Sequence, residues 1–539
     1  MTHTNHSSAV RNSGLAISLL SLLAGCVGST EPPTESCDDC GGRSGIVHVP
    51  DRPSGLDITP RLDVSVADAT LAATLSADTL RVRRGTETAI EVTVDRGDFE
   101  GEVAVWVDGL PQGVRADTEV LASTASSGRI AIVATELATE GGPQELRVLV
   151  GSVGAADPIE IPARIVVAGF PGRLDESFAE GGLATVSGRA VDFDQVAVDS
   201  QARVIVAGRD VDADSLFLER LSVHGAVDES YDGVVAALPE GMPARASRMV
   251  LDGDDARVLV TAGDPADSNV QIGLAVFDAN GRLDDRVGTA GIVPVRALGT
   301  RSPRSLGLAV GEGSVFFRVD ERLAALRSSG SVVELTLPDG VRQSATMAYG
   351  DHTLTFGVFD AETDRPAMLE RVHTAGGRDE RFGEAGVVRG VTESEVMLES
   401  ATVQVVLAED GSGYAAGNRS FHEAPTQGVV TRFTADGAID PGFADEGRLT
   451  FEDERVHATV LDARGGVVVL TEHWPSFERR IWRFTASGAL DVDFGLGGFI
   501  ELGAVAPGAI AALAHDPIAE RLVACGPMER GWRCARFWL

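Results

Sequence analysis

The run Asp210-Val211-Asp212-Ala213-Asp214 sets three carboxylates at alternate positions. That spacing lets oxygen ligands converge on a hard cation such as calcium. A calcium loop of the EF-hand kind also needs a glycine at its sixth position and a glutamate at its twelfth; here the sixth position is Ser215 and the twelfth is Leu221. A solvated acidic loop is the competing reading, and no other cofactor is expected. A second set of aspartates (Asp175, Asp228, Asp284, Asp379, Asp440 and Asp491) recurs through the last two thirds of the chain. Because they return about once every 50 residues, they would stand one structural unit apart, the spacing expected of turn-forming residues, not of a shared site.

Five cysteines complete the reactive inventory. Cys37-Asp38-Asp39-Cys40 could act as a redox pair or as half a zinc site, but a redox pair needs a helix N-terminus and zinc needs further ligands. With neither in view, a small disulfide loop is expected, and a second local disulfide between Cys525 and Cys534. There is no lysine among the 46 basic residues, which excludes Schiff-base chemistry and a P-loop. Neither a His-Glu-x-x-His nor a Gly-x-Ser-x-Gly motif is present among these residues. No catalytic residue is therefore assigned, and the chain is read as a non-enzyme.

The remaining cysteine, Cys26, ends a three-part leader: a basic region closing at Arg11, an apolar run from Leu15 to Ala24, and small residues. Leu23-Ala24-Gly25-Cys26 resembles the bacterial lipobox. The resemblance implies cleavage before Cys26 and a diacylglycerol on its thiol, with Val27 at the next position implying the outer membrane, periplasmic or surface-facing. The apolar run is too short to span a bilayer, so lipid would be the membrane anchor. Net charge is −34 at pH 7, which excludes phosphate backbones, and hence nucleic acid, as a natural partner.

The elements that would position these residues are strands. After the leader (1–25), residues 26–67 are rich in Gly, Pro, Ser and Asp without a sustained period, and read as a tether. Residues 68–169 alternate apolar and polar positions in short runs such as Glu102-Val103-Ala104-Val105-Trp106-Val107. About seven strands in about 100 residues is the rhythm of an Ig-like β-sandwich.

From 170 to 539 the chain repeats itself. Gly172-Arg173-Leu174-Asp175-Glu176-Ser177-Phe178 returns as Gly225-Ala226-Val227-Asp228, Gly281-Arg282-Leu283-Asp284 and Gly376-Gly377-Arg378-Asp379. It returns again as Gly437-Ala438-Ile439-Asp440 and Gly488-Ala489-Leu490-Asp491, with a degraded copy at Gly330. Between copies lie two apolar strands and a third that carries an arginine five residues before the motif glycine, at Arg220, Arg371, Arg432 and Arg483. These features resemble the delta-sixty repeat family of bacterial surface and secreted proteins, which implies a repeat fold and no defined activity.

Four strands per unit at about 50 residues is propeller spacing. The region opens with a lone motif and strand and ends one strand short, so docking the first strand onto the last unit would close seven blades without a free edge. The expected architecture is all-β: an Ig-like β-sandwich followed by a seven-bladed β-propeller. In it Asp264, Asp267, Asp360, Glu362 and Asp364 fall in loops equivalent to the one at Asp210, all opening on one acidic face. Trp474, Trp482, Trp532 and Trp538 are expected in the packing or closure of the last two blades. The expected function is a lipid-anchored envelope or cell-surface binding module for a protein or ligand at that face. The alternatives are a propeller hydrolase or lyase using acids at the channel mouth, and an envelope scaffold with a permanent partner.

Overall fold

Alternation of buried and exposed side chains sets the first domain. In Glu87–Asp95 the residues Ile90, Val92 and Val94 point inward, and in Ser127–Ala134 so do Ile130, Ile132 and Ala134, the period-two pattern of strands packed on one face. The computed structural model describes Leu62–Val66 and residues 69–152, 157–231, 233–235, 244–262, 271–295, 306–319, 322–337, 344–360, 365–391, 404–421, 424–505 and 510–539. The leader, Cys26, Cys37, Cys40, Asp264, Asp267, Glu362 and Asp364 lie outside these residues, as does the side chain of Asp360.

Two five-stranded sheets form the N-terminal sandwich. One runs in the order Leu62–Val66, Ala69–Leu75, Glu87–Asp95, Ser127–Ala134, Val114–Ala116. The other runs Thr79–Arg83, Ile159–Ala168, Gly141–Ser152, Val103–Asp108, Glu119–Leu121. A single core of buried Val, Ile and Leu from both sheets fills the space between them. The sandwich begins inside the stretch read as tether: Leu62–Val66 pairs antiparallel with Ala69–Leu75, from Leu62↔Ala73 to Val66↔Ala69. Leu62, Val64 and Val66 alternate as strand residues do, but the run is only five residues long and abuts the Pro- and Gly-rich segment.

The remainder is seven four-stranded antiparallel sheets. In blade one the order is Val191–Val198, Val204–Asp210, Ser215–Leu221, Gly233–Val235. Blades two to six begin at Ala244, Leu306, Ser344, Gln404 and Glu454 and repeat that order. Each blade's first strand lies beside the first strand of the next, and the seventh beside the first, so the ring closes. Closure is by the mechanism expected from the sequence. Leu183–Ser187 pairs with Gly531–Trp538, the third strand of blade seven, from Leu183↔Ala535 to Ser187↔Gly531. In that blade Cys525 and Cys534 stand opposite each other on adjacent strands and form a disulfide.

Apolar clusters fill the seams between blades. Ile205 and Leu218 of blade one pack with Val258 and Val260 of blade two, and Val523 and Trp532 of blade seven pack with Val204 and Val206 of blade one.

Candidate functional site

The recurring aspartates come first because they dominate one face. In each intact motif the Asp backbone N–H donates to the third strand of its blade, for example Asp228 N to Arg220 O at 2.8 Å and Asp491 N to Arg483 O at 3.0 Å. The side chain then accepts from the backbone N–H two residues on, as Asp175 does from Ser177 N at 3.1 Å and Asp440 from Gly442 N at 3.0 Å. This is an Asx-turn.

The aromatic residue that follows sits in a seam: Phe178, Phe382, Phe443 and Phe494 are fully buried. Third-strand arginines complete the joint. Arg220 donates to Asp228 Oδ2 at 2.7 Å and to Ala279 O of the next motif at 2.6 Å. Arg371 donates to Ala435 O at 2.7 Å, and its guanidinium lies 3.8 Å from the Phe382 ring centroid. Where the motif is complete, Asp, aromatic ring and Arg thus staple a blade to its neighbour, and these carboxylates are structural.

The motif glycines explain the repeat's strictness. Gly488 has φ +81°, and a Cβ there would fall 2.4 Å from Ala444 N of the preceding motif. Successive motif turns touch at a point where only glycine fits.

At blade seven the staple becomes a latch to the sandwich. Fully buried Arg521 donates to Asp516 at 2.9 Å, to Asp175 at 2.8 Å and to Gly142 O of the sandwich at 2.9 Å. Arg536 also holds Asp175, at 2.8 Å. Burial pushes the Asp175 carboxyl up, but Arg536, Arg521 and the Ser177 hydroxyl outweigh it and hold it below the usual carboxylate range.

Beside this, Arg81 donates to Leu539 O at 2.8 Å, and Trp538 Nε1 to Glu140 at 3.2 Å. Trp538 packs with Val166 and Ala168 of the sandwich. Burial raises the Glu140 carboxyl above its ordinary value despite Arg84 and Trp538.

The channel side is formed by the innermost strands. In blades one, two, four and six these strands carry a β-bulge, at or beside Asp194, Arg248, Thr346 and His457. Bulges re-aim side chains, and here the polar groups tie blades together. Thr346 Oγ1 accepts from Val405 N at 2.9 Å, Gln404 Nε2 donates to His457 O, and Asp194 attracts Arg248. The His457 ring is held below its ordinary value by burial and by Arg479, with Glu472 opposing.

The opposite face holds the turns from second to third strand. Asp210 accepts from Ala213 N at 2.9 Å and lies 3.6 Å from Arg189. Asp212 accepts from Ala190 N at 3.2 Å and from Arg530 at 3.1 Å, and Asp214 is paired with Arg209. The three carboxylates that alternate in sequence therefore turn to three different arginines. Among the described residues no group of three His, Cys, Asp or Glu is placed to hold a metal ion.

On the same face Trp474 is 44% exposed, not in blade packing as expected from sequence, whereas Trp532 and Trp538 are fully buried. It sits in the turn after Val467–His473, where Trp474 N donates to Asp453 O at 2.7 Å.

No protein-family model and no curated protein matches this chain, so the delta-sixty resemblance stands on the motif residues themselves. Among solved structures, streptogramin B lyase aligns at 12% identity, covering 65% of this chain and 95% of that one, with a TM-score of 0.41. Polysaccharide lyase Uly1 aligns at 10% identity over 67% and 92%, TM-score 0.38. Kluyveromyces lactis Hsv2 aligns at 11% identity over 64% and 97%, TM-score 0.35. At these levels the propeller assignment rests on the strand pairing itself, and no activity is carried over.

Proposed function

We propose that this chain is a lipid-anchored envelope or cell-surface protein whose propeller binds a cationic partner on the face away from the sandwich. The carrying observation is the distribution of carboxylates. In sequence, each of the seven segments between a second and a third strand contains at least one acid; in the described turns these are Asp212, Asp214, Glu478 and Glu529, against one arginine, Arg530. On the other face the motif aspartates are engaged in turns and staples, and the sandwich latches there at blade seven. Arg530 and Arg209 offset Asp212 and Asp214 in part; a rim with an excess of acids concentrates oppositely charged partners and speeds encounter.

The lipobox at Cys26 supports the anchor, the motif supports a delta-sixty-type repeat, and the sheet orders support an Ig-like sandwich. Among the described residues no helix is long and apolar enough to cross a membrane.

The test is binding of the lipid-free chain to a basic polypeptide, polylysine, at stepped salt concentrations. Neutralising Asp212, Asp214, Glu478 and Glu529 together should weaken binding and flatten its salt dependence. Neutralising an equal number of exposed acids on the sandwich should do neither. Equal effects from the two sets would contradict the reading.

A further inference from the structure

The acidic turns give that face its charge but not a point of grip. Among the described turns one stands apart: in blade six, Trp474 and Phe477 are 44% and 58% exposed and lie against each other, ring centroids 5.0 Å apart and planes at 82°. The turn is well tied. Phe477 N donates to His473 O at 2.8 Å, His473 N to Glu478 O at 2.8 Å, and His473 Nδ1 meets Ser476 Oγ at 3.0 Å. Trp474 N is bonded to Asp453 O, in the turn that enters blade six. Two large aromatic side chains are thus held in water by a fixed backbone, at a cost in exposed apolar surface that blade packing does not explain.

The chemistry of an occupant follows from what surrounds the rings. Glu452, Asp453, Glu454 and Glu478 stand beside this corner in the chain against Arg455, Arg479 and Arg480, with Arg480 2.9 Å from Glu454 and 3.8 Å from Glu478, so its formal charge is one negative. The Trp474 ring already accepts a cation: the Arg455 guanidinium lies 5.6 Å from its centroid. Perpendicular rings make a corner, where a flat side chain can lie on one ring and meet the edge of the other. A pyranose would need an open planar platform instead. The seam between blades five and six holds a cavity of about 300 Å³ lined by Phe451, Trp482, Phe484 and Glu452 among others. Tryptophan and arginine are the residue types that most often dominate binding energy at protein interfaces.

We infer that the Trp474–Phe477 corner is the anchor point of the acidic face and takes an arginine-bearing segment of a partner protein. The inference rests on the proposed reading of that face as the site of a cationic partner.

Hexa-arginine is the probe, titrated into the lipid-free chain while tryptophan emission is followed, with the doubly substituted Trp474→Ala, Phe477→Ala chain followed by calorimetry. Both side chains are exposed, so the thermal midpoint of the variant should stay near that of the parent. The inference predicts a change in emission on binding and at least a tenfold loss of affinity in the double variant. If affinity is unchanged in the double variant but falls when Asp212 and Asp214 are neutralised, the corner is not the anchor while the acidic face survives. If hexa-arginine binds neither chain, both readings fall. If a neutral hexasaccharide changes the emission and hexa-arginine does not, the occupant is a glycan and the inference is overturned.

Discussion

Asp175 and Asp284 occupy the same motif position, yet their surroundings give them different weight. Asp175 is buried between Arg521 and Arg536, while Asp284 pairs with Arg286, whose side chain is 82% exposed. Removing one partner of a buried charge network leaves the others uncompensated, so Asp175→Asn should cost about 3–5 kcal/mol. An exposed pair is worth at most about 1 kcal/mol, so Asp284→Asn should cost little; denaturant unfolding of the two variants checks the contrast.

The acid side follows from the same pair of arginines. Asp175 titrates below its unfolded value, so its stabilisation is complete above the unfolded carboxylate range and is lost as pH falls through its folded value. Asp175→Asn should therefore unfold with a flatter dependence on pH in the acid limb. At the calcium candidate, Asp210, Asp212 and Asp214 are each engaged by an arginine. Added calcium is expected to leave the thermal midpoint in place; a rise of several degrees would show that the arginines yield to the cation.

At the scale of elements, glycine and disulfide set the limits. Gly488→Ala forces a positive φ on alanine and drives its Cβ toward Ala444 N. It should destabilise by more than about 1 kcal/mol, read as a lowered thermal midpoint. The Cys525–Cys534 bond closes a loop of nine residues' separation. Chain-entropy arguments give it about 2–3 kcal/mol, and reduction should lower the midpoint accordingly.

These were the elements easiest to read in sequence. The motif repeats every structural unit, and its Gly, Asp and Phe have local duties that spacing reveals. Closure was legible too, from a strand in excess at one end and missing at the other.

Three things were not legible. Leu62–Val66 is a short alternation beside a loop-like run. The Arg521–Asp175 pair spans 346 residues, so no local pattern announces it. Trp474 was expected in packing by residue type alone, and its turn's tie to Asp453 O overrides that expectation.

On the scale of the whole molecule, the sandwich and the closing blade share buried bonds through Arg81, Arg521 and Trp538. The sandwich is thereby fixed in orientation on the motif face, and it holds the last blade where a propeller would begin to fray. If Cys26 carries lipid, the acidic turns face away from the domain nearest the anchor. The most direct test is amide hydrogen exchange of the lipid-free chain with and without a bound basic polypeptide. Slower exchange should appear in the turns around Asp212, Trp474 and Glu529 and be absent from the motif turns around Asp228, Asp440 and Asp491. Protection confined to the motif turns, or spread equally over both faces, would contradict the account.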